Sequence, residues 1–259
     1  MTDLVVVGGG KMGEALVGGL VRSGWAPGAI TVVEPHAPRR EELEAAHPGL
    51  VVVAEPVAAA GAIVAVKPQH VVEVCSSLGG LGVARVLSIA AGVRLATIEA
   101  VVPPGTAVVR AMPNTPALVG AGAAAIAAGA AAGPDDLAWA ESILAAVGSV
   151  VRVSEAQLDA VTGLSGSGPA YVFLVAEALI DAGVLEGLPR DVATELAVAT
   201  LRGAGELLAT GQPPAELRAA VTSPGGTTAA GLAALESAAV RAAFSAAVSA
   251  AAARSRELG

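Results

Sequence analysis

Short apolar runs rich in β-branched residues, set apart by helical or polar stretches, dominate the first half of the chain. Residues 4–7 form one such run and lead into Gly8-Gly9-Gly10, which predicts a strand buried on both faces that enters a tight turn. Residues 14–22 follow with Leu16, Val17 and Leu20 at helical spacing, and residues 30–33 are the next strand. A first βαβ unit of roughly 30 residues therefore closes there. Residues 50–53, 63–66, 85–89 and 107–110 repeat the strand pattern, with helices or loops around 38–46, 70–79 and 95–101 between them. Residues 121–128 and 148–153 add two last strands. Strand alternating with helix predicts a mostly parallel sheet covered on both faces.

After Ser154 the β-branched runs vanish and the periodicity turns helical. Residues 158–162, 170–182 and 190–210 suit helices, the first two around a Gly-Ser-Gly interruption, and residues 227–257 suit one or two more. The expected division is an α/β half over residues 1–154 and an all-α half over residues 155–259.

Composition refines this picture. Hydrophobic residues make up 54% of the 259, yet the aromatics are two Trp, one Tyr and two Phe. Small side chains bury little area each, at about 25 cal/mol per Å² of apolar surface, so burial between subunits is expected to supplement the core. The net charge of −8, with Lys11 and Lys67 as the two lysines, argues against nucleic-acid or anionic-membrane binding, which needs a basic face. A single cysteine, Cys75, excludes an internal disulfide and any multi-cysteine metal site, and reads as a small buried hydrophobe. The N-terminus carries no basic segment followed by an apolar run and cleavage site, so a cytoplasmic enzyme is expected. Mean hydropathy is +0.69, but the tempting uncharged stretch, residues 117–133, is mostly Ala and Gly and too weakly apolar to span a bilayer.

Gly8-Gly9-Gly10-Lys11-Met12-Gly13 satisfies G-x-G-x-x-G between a strand and a helix. The first glycine permits the turn, the second lets backbone approach a pyrophosphate and the third lets helix pack on strand. Gly8, Gly10, Lys11, Met12 and Gly13 are the candidate contacts. Glu34 stands about 20 residues on, where an acidic side chain accepts from the ribose 2′-hydroxyl of NADH. Arg39 and Arg40 follow shortly and would instead pair a 2′-phosphate, or simply begin a solvated helix. The reductant expected is thus NADPH or NADH.

Three loop-like stretches follow later strands: Val66-Lys67-Pro68, Ala90-Ala91-Gly92 and residues 112–116, which contain Asn114. In open α/β sheets such loops cluster where ligands bind. Lys67 either touches phosphate or ends its strand. His36 and His47 read as surface residues, and His70, after the Lys67-Pro68 turn, either edges the pocket or does nothing specific, since it has no defined partner. No cluster has metal-ligand spacing, so no metal is expected. In the helical half, Thr222-Ser223-Pro224-Gly225-Gly226-Thr227-Thr228 stops one helix and opens another. Its backbone N–H groups, aided by the helix dipole, suit a small carboxylate, or it is an ordinary loop with a threonine cap.

The chain resembles the pyrroline-5-carboxylate reductase family along nearly its whole length. The resemblance lies in the GGGKMG turn, Val66-Lys67-Pro68, Arg110 to Pro116, the stretch from Ala160 to Tyr171 with its GLSGSGPAY, and Thr222 to Thr228. It implies a Rossmann domain followed by a helical dimerisation domain, an active site shared between two subunits, and often a ring of dimers, up to a decamer. It places the substrate, 1-pyrroline-5-carboxylate, on Ser223, Gly225, Gly226, Thr227 and Thr228. There, backbone amides would hold the carboxylate and Thr228, the candidate catalytic residue, would hydrogen-bond the ring nitrogen. It places the nicotinamide side on Val66, Pro68, Ala90, Ala91 and Asn114. Members that favour NADPH often carry a Ser/Asn/Arg/Thr cluster after the second strand; this chain departs from it with Glu34-Pro35-His36. Two other readings compete. A β-hydroxyacid dehydrogenase would use a lysine in the second half, and none occurs after Lys67. A non-catalytic NADP(H)-binding sensor would have no use for the 222–228 loop.

Overall fold

The computed structural model describes residues 2–258. Eight strands, β1 (Thr2–Val7), β2 (Ile30–Val33), β3 (Val51–Val53), β4 (Ala59–Val64), β5 (Arg85–Ser88), β6 (Ala107–Met112), β7 (Gly122–Ala128) and β8 (Gly148–Arg152), form one sheet in the order β3-β2-β1-β4-β5-β6-β7-β8. Every neighbouring pair is parallel except β6 with β7. From β1 the chain steps outward to β2 and β3, then returns to place β4 on the other side of β1. Strand order reverses between β1 and β4.

Helices α1 (Lys11–Arg22), α2 (Ala37–Ala46), α3 (Val71–Gly80), α4 (Leu95–Glu99) and α5 (Pro134–Ala145) fill the connections. The apolar strand runs divide between two cores by their two-residue period. Leu4, Val6, Ile30, Val32, Ile63, Leu87 and Val109 face α1, α2 and α5 through Leu16, Leu20, Leu43 and Ile143. Val5, Val7, Val33, Val64, Val86 and Val108 face α3 and α4 through Val71, Leu78 and Ile98. Strands buried on both faces therefore read as continuous apolar runs. Each such side chain contributes about 1.5–3 kcal/mol by leaving water.

The strand boundaries expected from the pattern move by a few residues, most at β4, which starts at Ala59 and ends at Val64 rather than spanning 63–66. Its first residues, Ala59-Ala60-Gly61, carry no β-branched signal. Gly61 is small because a Cβ there would lie 2.6 Å from the Trp139 ring of α5. That helix was not expected, although Pro134 at its first turn and Asp135-Asp136 beside it are ordinary start signals. Residues 117–133 form a short 3-10 turn, β7 and a turn, with no helix of spanning length.

Cys75 is fully buried on α3, and burial pushes its thiol up to about 11. At pH 8 about one thiol in a thousand is ionised, since each unit is a factor of ten. A disulfide reagent at pH 8 is expected to leave the native protein unlabelled and to modify one thiol per chain in urea. Rapid labelling of the native protein would show that the α3 packing is wrong.

Beyond β8, α6 (Leu158–Val161) and a π-helical turn (Thr162–Gly166) precede α7 (Gly168–Leu185), α8 (Arg190–Ala209), α9 (Pro214–Ala220), α10 (Thr227–Ser237) and α11 (Val240–Leu258). The chain packs as two compact units, Met1–Ser167 with Ser249–Gly259, and Gly168–Val248. The end of α11 thus belongs with the sheet: Ser255 Oγ donates to Asp159 Oδ1 at 2.7 Å in a buried pair, and the Leu258 backbone lies beside Gly92.

In the second unit α7 packs on α8, with Gly183 against Ala193. Ala193 and Ala197 are its buried hydrophobics among the described residues, while Phe173, Leu174, Leu179, Leu196, Leu207 and Phe244 stay exposed. Helices this poor in buried side chains lack a core of their own, and an apolar surface of this kind marks an interaction face. By length and composition the helical stretch Glu155–Leu185 is apolar enough to cross a membrane, and α10 with α11, bent by 51°, passes the same test as a pair.

Candidate functional site

The C-terminal ends of β1, β2, β4, β5 and β6 share one edge of the sheet, and five predicted segments lie there. Gly8, at the end of β1, has φ +110°, and a Cβ on it would stand 2.5 Å from the Ala65 carbonyl oxygen. Any other residue would force the ends of β1 and β4 apart where strand order reverses. A Cβ on Gly13 would strike the Gly8 carbonyl oxygen, so α1 can lie this close to β1 because that side chain is absent. Gly10 differs: no heavy atom lies within 4 Å of its would-be Cβ. It is the N-cap of α1 in extended conformation, with no side chain capping the helix. The first-turn N–H groups lack intrahelical partners, and with the helix dipole they form an anion site. The cradle fits a pyrophosphate. Lys11 is exposed at the first helical position, whereas Met12 packs against the core.

Glu34, just beyond β2, is 7% exposed. Its Oε2 accepts from the Gly9 N–H at 3.2 Å and its Oε1 from the His36 N–H at 3.0 Å. Arg39 donates from Nε to the Gly9 carbonyl at 2.8 Å and pairs with Glu14 at 2.5 Å and Glu42 at 2.8 Å. Those hydrogen bonds, Glu42 first, raise its already high pKa. Arg40 donates to the carbonyls of Glu34 (3.0 Å) and Pro35 (2.8 Å). Arg39 therefore stitches the start of α2 to the glycine turn, and Arg40 closes the loop after β2 on itself. Beside them opens a cavity of about 420 Å³ lined by Gly8, Pro35, Glu55, Val66 and Glu73 among others, with His36 and His70 on its wall. His36 and His70 thus meet in one cavity.

Val66-Lys67-Pro68 follows β4 and turns into a 3-10 segment in which His70 N–H donates to the Lys67 carbonyl at 2.9 Å. Ala90 is buried and Ala91 exposed after β5. The loop they begin is anchored by Glu155, whose Oε1 accepts from the Leu95 N–H at 2.7 Å and from Arg110 at 3.0 Å. Sequence reasoning gave Glu155 no role, and no local signal marks it, because its partners lie 60 and 45 positions away. Asn114 is a clamp in this structure. Its Nδ2 donates to the Ser165 carbonyl at 3.1 Å, and its Oδ1 accepts from the Ala123 N–H at 2.8 Å. It thereby ties the start of β7 to the π-helical turn, a feature frequent at functional sites.

The 222–228 bend lies in the second unit. Thr222 Oγ1 donates back to the Arg218 carbonyl at 2.6 Å and ends α9. Gly225 has φ +66°, the left-handed region that favours glycine. Gly226 donates to the Ser223 carbonyl at 3.1 Å and is the N-cap of α10, again without a side-chain cap. A Cβ on Gly226 would collide with Ser223 Oγ. Thr227 and Thr228 are the first two helical residues, so neither is the cap. Ser223, Thr227 and Thr228 are exposed. The bend offers main-chain donors and hydroxyls at a helix N-terminus. Among the described residues no group of three or more His, Cys, Asp or Glu could hold a metal ion.

Comparison with known proteins identifies relatives over both halves of the chain. Residues 155–258 match the family model for pyrroline-5-carboxylate reductase dimerisation, and residues 3–92 match that of NADP oxidoreductase, coenzyme F420-dependent. The pyrroline-5-carboxylate reductase of Synechocystis sp. is 49% identical over 99% of this chain and 98% of its own. The solved structure of the Coxiella burnetii pyrroline-5-carboxylate reductase superposes with TM-score 0.93 at 36% identity, covering 100% of this chain and 98% of that one. That of the Plasmodium falciparum pyrroline carboxylate reductase, with NADP bound, gives 0.84 at 29% identity, with 100% and 98% covered. The chain belongs to the pyrroline-5-carboxylate reductase family.

Proposed function

We propose that the chain reduces 1-pyrroline-5-carboxylate to proline with NADPH or NADH. The observation that carries the reading is the 222–228 bend, where exposed hydroxyls and main-chain donors gather at a helix N-terminus with no side-chain cap, in a chain that matches these reductases over nearly its whole length. Residues 1–154 hold the dinucleotide through Gly8, Gly10, Lys11, Met12, Gly13 and Glu34. Val66, Lys67, Pro68, Ala90, Ala91 and Asn114 shape the nicotinamide side. Residues 155–259 hold the substrate, whose carboxylate sits on N–H groups and hydroxyls of Ser223, Gly225 and Thr227, while Gly226, its N–H engaged by the Ser223 carbonyl, shapes the bend. Thr228 hydrogen-bonds the ring nitrogen.

When bound, the dinucleotide supplies the hydride, which goes to C5 as the C=N π electrons pass to nitrogen. One proton completes the amine, and a protonated imine accepts hydride more readily. A threonine hydroxyl is too weak an acid to act alone, so Thr228 orients the ring or relays a proton from water. The exposed apolar faces of α7, α8 and α11 pair with a second copy, giving a homodimer that assembles further, up to a decamer. This role for the apolar stretch Glu155–Leu185 requires no membrane, and the enzyme works in the cytoplasm.

The test follows the reduced-nicotinamide absorbance of the protein mixed with cofactor and one acceptor at a time. Loss of absorbance with 1-pyrroline-5-carboxylate, and not with keto acids or with hydroxyacids in reverse, is the expected result. Turnover of a keto acid in place of the imine would refute the assignment.

A further inference from the structure

We infer that the adenosine end of the cradle is built for a ribose with a free 2′-hydroxyl, so that this chain prefers NADH to NADPH. The inference rests on the reading that the glycine turn holds a dinucleotide. In this sheet class the acidic residue closing the second strand meets the ribose 2′ position, and here that residue is Glu34. Its carboxylate is nearly buried, and each oxygen already accepts one backbone N–H, from Gly9 and from His36. A carboxylate oxygen takes two donors. A ribose hydroxyl supplies a donor to one of the remaining places. A 2′-phosphate has no comparable donor and sets like charge against a carboxylate with little water around it, where repulsion is screened least.

The cations that would offset that repulsion are engaged elsewhere. Arg39 holds the Gly9 carbonyl and two carboxylates, Glu14 and Glu42. Arg40 holds the carbonyls of Glu34 and Pro35. Turning either toward a phosphate breaks these bonds and loosens the loop that positions Glu34. The adjoining cavity continues the same sign, with Glu55 and Glu73 on its wall and, among the described residues, no lysine or arginine. His36 and His70 also line it.

The test titrates the intact protein calorimetrically with ADP-ribose and with its 2′-phosphate, then measures kcat/KM for NADH and NADPH. ADP-ribose is expected to bind at least about tenfold tighter, about 1.4 kcal/mol, with the kcat/KM ratio in the same direction. Glu34→Ser removes the carboxylate and its repulsion while leaving the bonds of Arg40 to the main-chain carbonyls of residues 34 and 35 in place, and is expected to move the ratio about tenfold or more toward the 2′-phosphate. If that variant does not fold, the two wild-type affinities decide alone. Equal or tighter binding of the 2′-phosphate by the wild-type protein overturns the preference and leaves the dinucleotide reading intact. Binding of neither ligand overturns both.

Discussion

Gly13→Ala is expected to lower dinucleotide affinity at least a hundredfold and to lower the melting temperature. The added methyl would occupy the place of the Gly8 carbonyl oxygen. Neither side can yield cheaply. The Gly8 N–H is bonded to the Val33 carbonyl at 2.9 Å, and Gly8 itself abuts the Ala65 carbonyl, so β1 is held from both flanks. The helix must move instead, at about 1–3 kcal/mol for a forced methyl, and its first-turn N–H groups move off the pyrophosphate with it. Gly10→Ala is the control. Its methyl meets nothing within 4 Å and its φ of −69° suits alanine, so stability should change by no more than about 0.5 kcal/mol. Affinity should nonetheless fall, because the open space is where the ligand's phosphates approach. Thermal melts with fluorescence titration of the reduced cofactor separate the two effects. A Gly13→Ala protein that melts and binds like the parent would contradict the turn geometry.

Thr228→Ala should reduce turnover about a hundredfold or more, the range for losing one donor aimed at a reacting centre, and leave cofactor affinity within about twofold. Thr228 is exposed on the first turn of α10, so no packing is lost and the melting temperature should hold. Pre-steady-state kinetics at saturating cofactor make the comparison. Collapse of cofactor affinity with normal turnover of the loaded enzyme would assign Thr228 a different role.

Much of the sheet was legible in the sequence because a strand buried on both faces has a composition that almost nothing else has. The runs ending at Val7 and Val33 declare themselves through their apolar, mostly β-branched residues, and so does the run ending at Val53, although that strand is only partly buried. The antiparallel β7 was harder, since Gly122–Ala128 is mostly alanine, and its burial comes from neighbours on the sheet. The glycine turn was legible too, as a G-x-G-x-x-G pattern between a strand and a helix, and Gly13 is required by the Gly8 carbonyl within that same turn; the contact that requires Gly8 comes from Ala65, far along the chain, and was not legible. Glu155 was not, because its bonds to Leu95 and Arg110 exist once β5, β6 and β8 are assembled. Nor could the sequence show that Arg39 and Arg40 are tied to Glu14, Glu42 and nearby carbonyls, since free and engaged arginines look alike in a string of letters. The end of α11 is a similar case. Nothing near Ser255 indicates that it buries its hydroxyl against Asp159 in the sheet unit.

Deuteride tracing tests the central claim most directly. The protein is incubated with 1-pyrroline-5-carboxylate and NADH or NADPH carrying deuterium in both positions on C4 of the reduced ring, and the product is examined by NMR and mass spectrometry. The account predicts proline carrying one deuterium at C5, on a single face. Proline without label at C5, or oxidised cofactor without proline, would contradict it.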